Sequence, residues 1–144
     1  MCAVVTVLPK RILIIDDDID LLMLLERRLG NEGFTIETAA SLPEAEEVLY
    51  YFDPHLVLLD VNVNGDDGRQ LCWKLKSQKT SAELKVLLMS GFDCSKCRAS
   101  LFGADDVLAK PMHTDFLLHK INFYLHPSSD DAQPGNFLSS GGQV

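Results

Sequence analysis

Ile12-Leu13-Ile14-Ile15-Asp16-Asp17-Asp18 sets the reading of the whole chain: four apolar residues run straight into three carboxylates. The same grammar recurs downstream. Leu56-Val57-Leu58-Leu59 stops at Asp60, Val86-Leu87-Leu88-Met89 stops at Ser90, and Val107-Leu108-Ala109 stops at Lys110. Short continuous apolar runs of this kind suit strands buried on both faces, as in a parallel sheet. Each run then delivers one polar group at its carboxyl end: a metal-binding acid, a nucleophilic acid, a hydroxyl donor and a cation. Together these are the parts of phosphate chemistry.

Between the runs the apolar residues change to a helical period. Leu22, Leu25 and Leu29 share one face of a first helix, which Gly30 to Gly33 end. A second helix starts at Ser41-Leu42-Pro43-Glu44, where hydroxyl and carboxylate can satisfy each other's backbone donors. Ala45, Val48, Leu49 and Phe52 form its buried stripe, and Pro54 stops it. A third runs from about Gly68 to Ser77 with Leu71 paired to Leu75, and a short fourth falls around Ser95 to Phe102. The fifth carries Leu118, Ile121 and Leu125 and ends at Pro127. With a weaker strand at Phe34-Thr35-Ile36 the order is βαβαβαβαβα. The expected fold is α/β, a doubly wound five-stranded parallel sheet with helices on both faces. Right-handed crossovers bring every strand's carboxyl end to one edge, where such sheets bind ligands.

The bulk composition narrows the function. A chain of 144 residues, 47% of them hydrophobic, carries one domain with a core of its own. We expect an N-terminal extension over residues 1–9, a domain over 10–126 and a small, polar, disordered tail over 127–144. A net charge of -8 removes the attraction to phosphate backbones, so no direct nucleic-acid binding is expected. No run approaches a membrane span, and the start of the chain lacks the features of a secretion signal. The four cysteines, Cys2, Cys72, Cys94 and Cys97, show no disulfide-scaffold pattern. The expected location is the cytoplasm. Cys94-Ser95-Lys96-Cys97 has redox or half-zinc spacing but no second pair to complete a site, so ordinary thiols are favoured.

Carboxylates crowded at one edge need compensation, and Mg2+ supplies it through oxygen ligands, often two carboxylates and a phosphoryl oxygen. A pair such as Asp17 and Asp60 matches that habit. A carboxylate beside such an ion can attack phosphorus to give an aspartyl phosphate, with metal, Lys110 and Ser90 neutralising the phosphoryl oxygens. A helix start would also explain acids at 16–18, but it needs only one of them and leaves Asp60 and Lys110 unexplained.

Four motifs in order carry a family resemblance: residues 12–18; Leu56 to Asp60 with Asp67-Gly68 following; Met89-Ser90-Gly91; and Gly103-Ala104-Asp105-Asp106-Val107-Leu108-Ala109-Lys110-Pro111. Over residues 10–126 the chain resembles a response-regulator receiver domain of two-component signalling. The resemblance implies the flavodoxin-like strand order 2-1-3-4-5. It implies Asp60 as phosphoacceptor and Asp17 as direct metal ligand, with Asp16 assisting through water and the Asn62 backbone carbonyl completing the protein's contacts to Mg2+. It implies that Ser90 and Lys110 bind the phosphoryl group. The donor would be a sensor histidine kinase or a histidine phosphotransfer protein. The domain would catalyse only its own modification and hydrolysis, so it is not expected to be an enzyme otherwise. With only a polar tail after His126, the signal is expected to pass in trans to an effector protein.

Two departures stand out. Val63-Asn64-Gly65-Asp66 replaces the family's usual Met-Pro-x-Met, an exchange that can loosen the site or alter metal affinity, and Val107 replaces the Tyr or Phe whose ring reports phosphorylation. They support an alternative, a pseudo-receiver that keeps the fold as a protein-binding module. A second alternative is a haloacid-dehalogenase-like phosphatase, whose first motif Asp16-x-Asp18 imitates; it leaves Asp60 idle.

Overall fold

A computed structural model describes residues 8–78, 83–91 and 102–126. The elements run β1 (Arg11–Ile15), α1 (Ile19–Asn31), β2 (Thr35–Ala39), α2 (Leu42–Phe52), β3 (Leu56–Asp60), β4 (Asn62–Val63), β5 (Asp66–Asp67), α3 (Gly68–Ser77), β6 (Lys85–Ser90), β7 (Asp106–Ala109) and α4 (Thr114–Leu125). Five strands form one parallel sheet in the order β2-β1-β3-β6-β7. Counted among themselves, these five strands have the expected order 2-1-3-4-5. β4 and β5 form a separate antiparallel hairpin, which the sequence reading did not anticipate.

Successive side chains of a strand face opposite sides, so a strand apolar at every position feeds two cores. Ile12, Ile14, Leu56, Leu58, Leu87 and Met89 pack with Leu22, Leu25 and Leu29 of α1 and Leu117 and Ile121 of α4. On the other face Leu13, Ile15, Val57, Leu59, Val86 and Leu88 meet Ala45 and Val48 of α2 and Leu71, Cys72 and Leu75 of α3. Helices therefore cover both faces, and polar side chains can collect only where the strands end. Among the described helices none is long and apolar enough to cross a membrane.

Local chemistry explains the helix starts. Asp18 is the N-cap of α1 and accepts the Leu21 N–H at 3.2 Å. Ser41 caps α2 by accepting the Glu44 N–H at 3.2 Å. The expected reciprocal bond is displaced by one residue: the Glu44 carboxylate accepts the N–H of Ala40 at 2.8 Å, which ties the cap to the end of β2. In α4 the fully buried pair is Leu117 and Ile121, four apart, while Leu118 and Leu125 only flank the core. Of the fourth helical segment only Phe102 falls within the described residues; Cys94, Cys97 and residues 127–144 lie outside them, as do residues 1–7.

Gly68 begins α3 directly against β3, its N–H reaching the Val61 carbonyl at 2.6 Å. A Cβ there would run into the Asp60 carbonyl oxygen and lie 3.2 Å from a Leu59 methyl. Gly68→Ala is therefore expected to destabilise the fold by about 2–3 kcal/mol, the upper range for overpacking. Urea unfolding measures this, and an unchanged midpoint would contradict it.

Candidate functional site

Parallel pairing aligns the strand ends. Ile15 of β1 lies beside Ala39 and Leu59, Asp60 beside Met89, and Ser90 beside Ala109. Residues 16, 60, 90 and 110 therefore arrive at one edge of the sheet although they are far apart in sequence.

Asp16 continues β1 by giving its N–H to the Ala39 carbonyl at 3.1 Å, and it is 0% exposed. One of its carboxylate oxygens accepts the Asp18 N–H at 2.9 Å; the other accepts the Lys110 ammonium at 2.8 Å. Asp60, 7% exposed, is arranged the same way, accepting the Asn62 N–H at 3.2 Å and Lys110 Nζ at 3.3 Å. Lys110 thus bridges two buried carboxylates. Its own backbone N–H donates to the Ser90 carbonyl at 2.8 Å, and a cis Lys110–Pro111 bond follows. Asp17 stands exposed at the rim, and one oxygen each of Asp16, Asp17 and Asp60 lies within 4.8 Å of the others.

The structure brings together Asp16, Asp17, Asp60 and Lys110 directly. Asn62 is held beside Asp60 by its own N–H, and Ser90, 1% exposed, ends the neighbouring strand. Burial, assisted by the nearby Asp16 charge, raises the Asp60 carboxyl above its ordinary value despite the Asn62 and Lys110 bonds. Burial pulls the Lys110 ammonium down, but Asp16 and Asp60 outweigh it and leave it raised. When all three acids are ionised, one ammonium leaves two negative charges uncompensated. A set of closely spaced oxygens with a double negative charge could hold a hard divalent cation.

Asp18, which was not among the expected metal ligands, caps α1 with its side chain. One feature here escaped the sequence reading. Asn64 and Gly65 adopt positive φ values of 56° and 87° and form the two-residue turn joining β4 to β5. Asn-Gly is the strongest short-range signal for such a turn, so the dipeptide alone could have revealed it. The 63–66 departure builds an ordered hairpin: the Asn64 N–H donates to Asp17 at 2.7 Å, Asn64 Nδ2 donates to the Ala40 carbonyl at 3.0 Å, and the Gly65 N–H donates to the Asn62 side chain at 2.9 Å. Val107 is half-buried against the α2–α3 side of the sheet. Cys72 is buried beneath α3, where burial pushes its thiol up to about 11, which makes it a packing residue and a poor nucleophile.

Comparison with known proteins identifies the family and the fold. The family model for the response regulator receiver domain matches residues 12–122. Response regulator MprA of Mycobacterium sp. (strain KMS) is 33% identical over 129 residues, covering 88% of this chain and 55% of that protein. The chain spans about half the length of the curated relatives it matches. The signal receiver domain of a response regulator from Bermanella marisrubri superposes with a TM-score of 0.74 at 34% identity, over 82% of this chain and 99% of that one. The BeF3-activated N-terminal receiver domain of Klebsiella pneumoniae RstA gives a TM-score of 0.73 at 27% identity, over 81% and 98% of the two chains.

Proposed function

The chain belongs to the response regulator receiver domain family, and on that premise we propose that it is a Mg2+-dependent phosphoacceptor modified on Asp60. The observation that carries the proposal is Lys110 bridging Asp16 and Asp60, with Asp17 beside them, at one edge of the sheet. Asp16, Asp17, Asp60 and the Asn62 carbonyl would hold the ion. Bound there, Mg2+ supplies positive charge to the phosphoryl oxygens. An Asp60 carboxylate oxygen forms the bond to phosphorus as the donor's own bond breaks, the electron pair leaving with the donor. Raising the carboxyl by burial makes it a more basic nucleophile. Lys110, already within hydrogen-bonding distance of Asp60, follows the negative charge onto the phosphoryl group, and the Ser90 hydroxyl at the next strand end donates a further hydrogen bond.

Carried over from the family, the donor is a phosphohistidine on a sensor histidine kinase or histidine phosphotransfer protein, the modified domain passes the signal to an effector, and the setting is the cytoplasm. The domain acts catalytically only on itself. Incubation with Mg2+ and acetyl phosphate is expected to add one labile phosphoryl group to the intact mass, and chelation of the metal to prevent it. No adduct under these conditions would leave the pseudo-receiver reading. Multiple turnover dependent on Asp16 would instead point to a phosphatase, a reading that Asp18 does not support because it caps α1.

A further inference from the structure

The hairpin β4–β5 does more than connect β3 to α3. Its turn aims the Asn64 backbone N–H at Asp17 Oδ2, 2.7 Å away, and the Asn64 side chain anchors the same turn to the Ala40 carbonyl at 3.0 Å, where β2 ends. Asn62, which would offer its carbonyl to the ion, is part of the same unit, because its side chain accepts the Gly65 N–H at 2.9 Å. Asp17 is the exposed member of the acid cluster, whereas Asp16 and Asp60 are buried. Asp17 is therefore the ligand with the most conformational freedom to lose on binding an ion.

The geometry points to Asn64 as a positioning residue for the metal site: the Asn64-Gly65 turn clamps Asp17 through one carboxylate oxygen and leaves the other for the cation. This rests on the Mg2+ reading above and deepens it. An ionised carboxylate accepts about four hydrogen bonds, so one N–H on Oδ2 does not use up its capacity. Groups that hydrogen-bond a ligating carboxylate fix its rotamer, and their loss costs metal affinity. The proline of the family pattern at this position has no N–H to give, so the clamp is a property of this chain.

Mg2+ titration of the full chain by calorimetry, without phosphodonor, tests the role, and amide hydrogen exchange of Asn64 tests the bond. Asn64→Ala loses the Ala40 anchor and disfavours the left-handed turn; we expect Mg2+ to bind about tenfold more weakly. Asn64→Gly lacks the Ala40 anchor but keeps the backbone donor and admits the left-handed turn, and is expected to recover most of that loss. Protection of the Asn64 amide is expected to fall in Asp17→Ala. Unchanged Mg2+ affinity in Asn64→Ala, or Asn64 protection indifferent to Asp17→Ala, overturns the clamp alone. Failure of the unaltered chain to bind Mg2+ overturns the metal reading itself, and the role with it.

Discussion

Lys110→Met is expected to lower the unfolding free energy of the metal-free protein by about 3 kcal/mol at neutral pH, the scale on which removing one partner from a buried ion pair acts. The cause is the pair of carboxylates left behind. Asp16 and Asp60 are 0% and 7% exposed, and Lys110 Nζ lies 2.8 and 3.3 Å from them. Methionine fills a similar volume but returns no charge, so two acids face each other with little water to screen them. Because the Lys110 ammonium is raised above 10.5, its contribution is complete below that pH and disappears only as pH rises through the higher folded value. Mg2+ is expected to restore much of the loss, since it supplies positive charge to the same oxygens. Urea unfolding with and without Mg2+ makes the measurement. Undiminished stability in the variant, or a loss that Mg2+ leaves untouched, would show that Lys110 does not balance this cluster.

Asp60→Asn has two expected consequences, one absolute and one graded. Phosphorylation disappears, because an amide cannot serve as the nucleophile. The metal-free fold becomes more stable at neutral pH. The sign follows from burial: the Asp60 carboxyl titrates above 3.8 in the folded state, so its protonated form is the one the fold favours. That contribution is fully present below 3.8 and is lost as pH rises through the folded value. Asparagine does not ionise and escapes the loss, so its advantage over the unaltered protein grows with rising pH across that window. Thermal unfolding over a pH series reads it. A variant less stable than the unaltered protein at neutral pH, or one that still takes a phosphoryl group, would contradict the assignment.

Much of this was legible in the sequence because buried parallel strands leave little choice of residue. Ile12 to Ile15 and Leu56 to Leu59 are apolar at every position, and both faces of each strand are covered. Their termination at Asp16 and Asp60 was therefore informative: polar groups cannot continue inward and must collect at the edge. β2 was harder to delimit. It extends from Thr35 to Ala39 with Glu37 and Thr38 in its middle, because an edge strand pairs on one side only and tolerates polar residues. The hairpin went unread because β4 and β5 are two residues each, too short for periodicity to register, although Asn64-Gly65 announces the turn. In α4 all four leucines and isoleucines flank or meet the core at spacings that allow more than one stripe, and the packing of α4 against α1 selects Leu117 with Ile121. The Asp17–Asn64 contact spans 47 residues and uses a backbone donor, so no side-chain pattern could signal it.

In the proposed role, residues from four separate strand ends converge so that one particular carboxylate receives phosphorus. Reduction of the phosphorylated chain with borohydride, which converts an aspartyl phosphate to homoserine, followed by peptide mass spectrometry, locates the modified residue. Homoserine at position 60 and nowhere else is expected, and only when Mg2+ was present. Homoserine at position 16 or 17, or labelling that persists in Asp60→Asn, would contradict it.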